Sequence, residues 1–164
     1  MTRTTLATFA TMLLLAGSAA AQKPDFSGSW KLDHEKSDSM PQISGAGRGT
    51  MMPTELFITQ LSTRMTVEMK IAERTRTMSF NLDGSPSRNP GMMDNEMVTT
   101  STWVDNTIVT KGKNSFKTPM GAVAIETTEV RSLSEDGRTM TVDMTVVSPR
   151  GTVKRRMVYE KGRE

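Results

Sequence analysis

Cysteine is absent from this chain, so no disulfide can brace it and no thiolate can serve as nucleophile or metal ligand. Histidine occurs once, as His34, which excludes the imidazole clusters of zinc and copper centres. Flanked by Asp33 and Glu35, His34 could act as a base, but no serine sits in a nucleophile-elbow context for it to activate. Aromatic residues are few: five Phe, two Trp and one Tyr. Charge of one sign is scarce as well. The formal net charge is +3, and Lys and Arg are interleaved with Asp and Glu almost throughout. The densest basic cluster, Lys154-Arg155-Arg156, sits inside an alternating segment rather than on a tail, so there is no nucleic-acid footprint.

Long hydrophobic runs are missing too. The apolar stretch Leu6 to Ala16 falls far short of the roughly 20 residues a membrane-spanning helix needs. With Arg3 before it and Ala19-Ala20-Ala21 after it, the stretch reads as a cleavable secretory leader over residues 1–21. No cysteine follows the cleavage point, which excludes an acylated lipoprotein N-terminus. The expectation is a periplasmic or secreted protein with one domain, residues 22–164. Without disulfides, packing and hydrogen bonding must hold that domain together.

No helical pattern of three turns is present; the chain instead alternates with period two. Met65, Val67, Met69 and Ile71 oppose Thr66, Glu68 and Lys70, and Met140, Val142, Met144 and Val146 oppose Thr139, Thr141, Asp143 and Thr145. Nine strands are predicted: 25–32, 56–60, 64–71, 73–82, 97–104, 107–111, 122–133, 138–147 and 152–160. Turn chemistry separates several of them, as at Asp105-Asn106 and Glu135-Asp136-Gly137. Residues 34–53 and 85–94, rich in Gly, Pro and Ser, read as irregular loops, and 113–121 as a third. Short gaps and regular spacing imply an antiparallel hairpin meander. The predicted fold is therefore all-β, a single up-and-down barrel of about eight to ten strands.

The opening strand, Asp25-Phe26-Ser27-Gly28-Ser29-Trp30-Lys31-Leu32, places Phe26, Gly28 and Trp30 on one face. A glycine there permits close approach of another backbone, and the indole can close one end of a core. This F-S-G-x-W-K-L stretch, with Lys36-Ser37 after it, resembles the start of bacterial secreted lipocalin-like proteins and, more broadly, the G-x-W strand of the calycin barrels. The T-D-Y-type turn usual in that family has no counterpart here. The resemblance implies a barrel with an interior site, a first connection lying across the mouth, and a late arginine packed over the first-strand tryptophan. Arg155 matches that arginine by phase, lying between Val153 and Met157, and Arg156 takes its place if the strand carries a bulge. Gly28, Trp30 and Arg155 are thus expected to close the barrel.

Methionine is abundant, at 15 residues. It is unbranched and polarisable, and it serves equally as core filler or as an adaptable binding surface. The expected ligand lining is Leu56, Ile58, Met65, Val67, Met69, Met140, Val142, Met144 and Met157, with Phe80, Trp103 and Ile125 as lesser candidates. Met51-Met52, Met92-Met93 and Met97 fall in or beside the irregular loops. They could offer soft ligands to Cu(I), but flexible apolar loop residues are the preferred reading, and no metal or cofactor is expected. Glu126, Glu129 and Asp143 are carboxylates without an informative spacing, so no catalytic residue is assigned. The functional expectation is an exported module holding a small hydrophobic or amphipathic molecule. The alternative is a filled barrel acting through its long loops as an envelope structural or interaction protein.

Overall fold

The computed structural model describes residues 23–38, 52–91, 95–118 and 121–162, and no side chain over 116–118. The leader expected over 1–21, Met51, Met92, Met93 and residues 39–51 of the first predicted loop lie outside this set. Ten strands follow in order: β1 (Gly28–Leu32), β2 (Glu55–Gln60), β3 (Arg64–Ile71), β4 (Arg74–Asn81), β5 (Asp83–Pro90), β6 (Glu96–Val104), β7 (Thr107–Thr118), β8 (Gly121–Leu133), β9 (Thr139–Ser148) and β10 (Gly151–Lys161). They form one antiparallel sheet in the order β4-β3-β2-β1-β10-β9-β8-β7-β6-β5. Pairing of β1 with β10 sets Trp30 opposite Lys161 and Leu32 opposite Tyr159. The sheet thereby curls into a nearly closed all-β barrel, in agreement with the sequence.

Two predicted loops are strands. Residues 113–118 continue β7, and 121 opens β8. Residues 85–90 belong to β5, although they include Pro86 and Pro90. The reason lies at the seam between β4 and β5, which carry no backbone ladder with each other among the described residues. In an extended strand the nitrogen and carbonyl oxygen of one residue point to the same side. The Pro86 oxygen faces β4, where it accepts from Asn81 Nδ2 at 3.1 Å. Its missing N–H therefore faces the unladdered side too, and the prolines cost no ladder bond.

Side chains close the seam instead. Ser79 N donates to Asn89 Oδ1 (2.7 Å), and Asn89 Nδ2 donates back to Ser79 O (2.9 Å). Asn81 N donates to Ser87 Oγ at 2.8 Å, and Arg76 Nη2 donates to Gly91 O at 3.2 Å. The Asn89 amide so reproduces the paired donor and acceptor of a backbone peptide.

A meander gives the barrel two unlike ends. The β2–β3, β4–β5, β6–β7 and β8–β9 turns lie at one end, here called the floor, with the start of β1 and the end of β10. The β3–β4 and β9–β10 turns lie at the other end, the mouth. At the floor, Phe26 and Trp30 are fully buried, and Trp30 Nε1 donates to Phe26 O at 2.9 Å. The Phe26 and Trp103 rings tilt together, centroids 6.1 Å apart. Gln60 holds the entering chain: its Oε1 accepts from Phe26 N (3.1 Å), and its Nε2 donates to Pro24 O (3.0 Å).

Trp30 is the floor plug that the opening strand implied, but its cation differs from the expected one. Lys161 Nζ lies 5.4 Å from the indole centroid. Arg155 is opposite Met144 on β9, six residues along β10 from Lys161. At about 3.3 Å per residue that is roughly 20 Å away. Trp30 and Arg155 therefore do not meet, because β1 is short and reaches only the last residues of β10. Gly28 has φ +130°, and a Cβ there would come within 2.9 Å of the Lys161 stem. Its glycine makes room for that side chain rather than for a second backbone.

Candidate functional site

Strand pairing sorts the inward side chains of β6–β10 into lateral rows. The lowest row to cross all five strands runs Trp103, Ile108, Arg131, Val142, Met157. The next runs Ser101, Thr110, Glu129, Met144, Arg155. Above it come Thr99, Gly112, Thr127, Val146 and Val153. The β5–β8 wall thus carries hydroxyls, with Ser101 Oγ and Thr110 Oγ1 2.8 Å apart and Asn89 Nδ2 donating to Thr99 Oγ1 at 3.1 Å. The β2–β4 wall is apolar, lined by Leu56, Ile58, Met65, Val67, Met78 and Phe80.

The floor half of the interior is filled. Leu56, Ile58, Met65, Val67, Met140, Val142 and Met157, all expected to line a ligand, are buried together with Phe80 and Ile108 in one core. Met69 and Met144 are the two residues of that set that stay partly exposed, toward the mouth, where Ile125 also lies. Trp103 belongs to the floor. The expected lining therefore divides into a buried lower core and the partly exposed Met69, Met144 and Ile125 toward the mouth, a region called here the cup.

Arg131 joins the two. It is 5% exposed and reaches from β8 to the other side of the barrel, its guanidinium 5.3 Å from the Phe80 ring centroid. Glu129, two residues earlier on the same face, approaches Arg131 Nη2 with Oε2 at 2.5 Å. Arg131 Nε and Nη1 are buried without a hydrogen-bond partner, as are Arg76 Nε and Asn114 Oδ1. A buried guanidinium carries five donors, so this one retains donors for a further acceptor. Tyr159, nearly fully buried, donates its hydroxyl to Pro53 O at 3.2 Å. Burial pushes its phenol well above the ordinary value, with Arg131 pulling it down and Glu129 up by smaller amounts.

The other sequence candidates fall outside the interior. Arg156 points outward and pairs with Asp143 at 2.8 Å, leaving Arg155 on the inner face as its phase implied. Glu126 pairs with Lys113 on the outer face, so it forms no carboxylate pair with Glu129. His34 is exposed in the turn after β1, where Asp33 Oδ1 accepts from the Glu35 and Lys36 amides. Among the described residues no group of three or more His, Asp or Glu side chains is placed to hold a metal ion. Nor is any helix among them long and apolar enough to cross a membrane.

Sequence reasoning passed over Arg76, Asn89, Glu129 and Arg131 as interior or seam residues, and Lys161 as the cation over Trp30. On β8 the alternation is blurred, since Ile125 and Leu133 share a face with Glu129 and Arg131 while Val130 lies on the other. The usable signal was register: Asp136-Gly137 fixes the β8–β9 hairpin, and the clean phase of β9 then carries over to β8.

No family profile matches the sequence, and no curated protein matches it. Solved structures do match in shape. Zebrafish ileal bile acid-binding protein complexed with cholic acid superposes with a TM-score of 0.58 at 14% identity, over 84% of this chain and 98% of that one. The fatty acid-binding protein of Drosophila melanogaster brain tissue superposes with a TM-score of 0.58 at 21% identity, over 83% and 99%. The chain therefore has the antiparallel, calycin-type barrel fold of the fatty-acid- and bile-acid-binding proteins.

Proposed function

We propose that the protein is an exported, non-enzymatic carrier of a small amphipathic anion. The apolar part of the ligand would lie in the cup above the filled core, and its anionic group would face Arg131. The observation that carries this reading is the buried Arg131 guanidinium, whose Nε and Nη1 have no hydrogen-bond partner. Arg76, Arg131 and Arg155 occupy inward positions on their strands, as does the Glu129 carboxylate. An oxyanion would satisfy the idle donors with charge-assisted bonds. The neighbours' named ligands, a fatty acid and cholic acid, belong to the same chemical class. Export rests on the leader-like residues 1–21 and is tested by N-terminal sequencing of the native protein, where a start at Gln22 is expected.

The test of binding uses chains of equal length. Displacement of 1-anilinonaphthalene-8-sulfonate should be strong with laurate, weaker with dodecanol and weakest with dodecyltrimethylammonium. Arg131→Met should bring laurate down to the level of dodecanol, a loss of about tenfold to a hundredfold for one hydrogen bond to a charged group. Equal binding of all three compounds would defeat the head-group assignment, and no binding by any would defeat the carrier reading.

A second reading keeps one observation in its favour: Arg131 and Phe80 pack across the axis, so the floor half is solid. A barrel of that kind could act as an interaction protein without a ligand. Native mass spectrometry of protein from its own host separates the two, since a reproducible added mass supports the carrier.

A further inference from the structure

The partly buried hydrophobic residues that pack against the core are Met52, Met69, Met97, Met144, Trp103 and Leu133. Trp103 and Leu133 belong to the floor half. The rest, toward the mouth, are all methionine. They come from four separate segments: the connection into β2, then β3, β6 and β9. In the sheet order β3, β9 and β6 are spaced almost evenly, so these thioethers border the cup from three sides. Met97 lies flat on the wall at Gly112, where a Cβ would stand 3.4 Å from its sulfur. Met144 sits between Glu129 and Arg155 in the middle row. The floor's methionines are sealed by contrast: Met65, Met78, Met140 and Met157 are all buried.

We infer that these four thioethers form an oxidative modification site that controls occupancy of the cup, with a hydroperoxide as the co-substrate. The sulfur lone pair attacks the distal peroxide oxygen. An S–O bond forms and the O–O bond breaks. The methionine is oxidised by two electrons to the sulfoxide, and the hydroperoxide is reduced to an alcohol, or to water when the oxidant is hydrogen peroxide. The hydroperoxide's proton passes to the departing oxygen, so no other reductant is needed.

Partial burial makes the cup methionines reachable while the sealed four are not. The sulfoxide then replaces a soft apolar surface with a strong acceptor dipole. At Met144 that acceptor would stand beside Arg155 and compete for the positive wall. An apolar chain entering an oxidised cup would have to desolvate those dipoles. The consequence for ligand rests on the carrier reading; the order of oxidation does not.

The experiment treats the folded full chain with graded hydrogen peroxide and locates sulfoxides by fragmentation of its peptides. Sulfoxide should form at Met52, Met69, Met97 and Met144 well before Met65, Met78, Met140 and Met157. In parallel, affinity for 1-anilinonaphthalene-8-sulfonate should fall about tenfold, as expected for forcing a polar group against the ligand. Methionine sulfoxide reductases should restore it. Changing all four residues to Leu should remove the peroxide sensitivity of whatever affinity the folded variant retains. If that variant fails to fold by near-UV dichroism, Met144→Leu alone should remove part of the loss.

Three results overturn the proposal: the sealed methionines oxidise as early as the cup's, the oxidised wild type keeps its affinity, or the folded Leu variant loses affinity as the wild type does. If the unoxidised protein does not bind the probe, the carrier reading fails. The modification site is then judged by oxidation order alone, and an order without preference for the cup overturns it.

Discussion

Replacing Asn89 should open the barrel along its one unladdered seam. The side chain is 4% exposed and makes three hydrogen bonds: from Ser79 N at 2.7 Å, to Ser79 O at 2.9 Å and to Thr99 Oγ1 at 3.1 Å. Asn89→Ala removes all of them and leaves the Ser79 peptide groups facing a gap. A buried group left unsatisfied costs about 1–3 kcal/mol. Ser79 is only half-buried and water can reach part of it, so the total should be about 2–4 kcal/mol. With a urea slope near 2 kcal/mol/M, the unfolding midpoint should fall by about 1–2 M. Tryptophan fluorescence follows the transition, and hydrogen exchange should show the Ser79 and Asn81 amides losing protection first.

Asn89→Asp sharpens the test through pH. One carboxylate oxygen can still accept from Ser79 N, but the other replaces a donor and faces the Ser79 carbonyl. That repulsion favours the protonated acid and raises its folded-state pKa above the unfolded value of about 3.9. The stability of this variant relative to wild type is therefore best below that unfolded value. It declines as pH rises through the raised folded value. A loss under about 1 kcal/mol in Asn89→Ala, with Ser79 still protected, would refute the idea that side chains hold this seam.

At the floor, Trp30→Ala should cost about 3–5 kcal/mol by emptying a fully buried site, whereas Lys161→Met should cost under about 1 kcal/mol; Arg155→Met should leave the Trp30 emission spectrum unchanged, and a shift there would contradict the register of β10. Arg131→Met alone should destabilise by about 3–5 kcal/mol because Glu129 stays behind, and adding Glu129→Gln should recover much of the loss in denaturant titrations; two additive losses would show that the pair is not coupled. Tyr159 is the sole tyrosine, so tyrosinate absorbance reports it alone. Since burial raises its folded-state pKa, its contribution to stability is fully present below the free phenol's value of about 10 and is lost as pH rises through the raised value. Absorbance should stay flat past pH ~10 and rise only with alkaline unfolding, and an ordinary titration of the native barrel would contradict its burial.

Local chemistry in the chain was enough to specify most of the barrel. Period-two alternation in Met65–Ile71 and Met140–Val146 set both strand identity and facing, because one face of each is apolar and a slip of one residue would expose it. Asp105-Asn106 and Asp136-Gly137 set hairpins, with Asp105 at φ 52° and Gly137 at φ 67°. The bulk at Phe26 and Trp30 marked a plug for one end. What the chain could not reveal depends on which strands end up side by side. Ser85 to Pro90 looks like a loop because prolines normally break ladders, and only the seam with β4 shows that no ladder was there to break. Trp30 takes its cation from Lys161 because β1 ends where it does, a matter of pairing length that no periodicity records. Arg131 and Glu129 sit on a strand that mixes polar and apolar residues on both faces, and the inward facing of both is decided by Val142 and Met144 on the neighbouring strand. The division of methionines between buried positions at the floor and partly exposed ones toward the mouth likewise follows from depth along the barrel axis, which tertiary closure creates and sequence spacing does not encode.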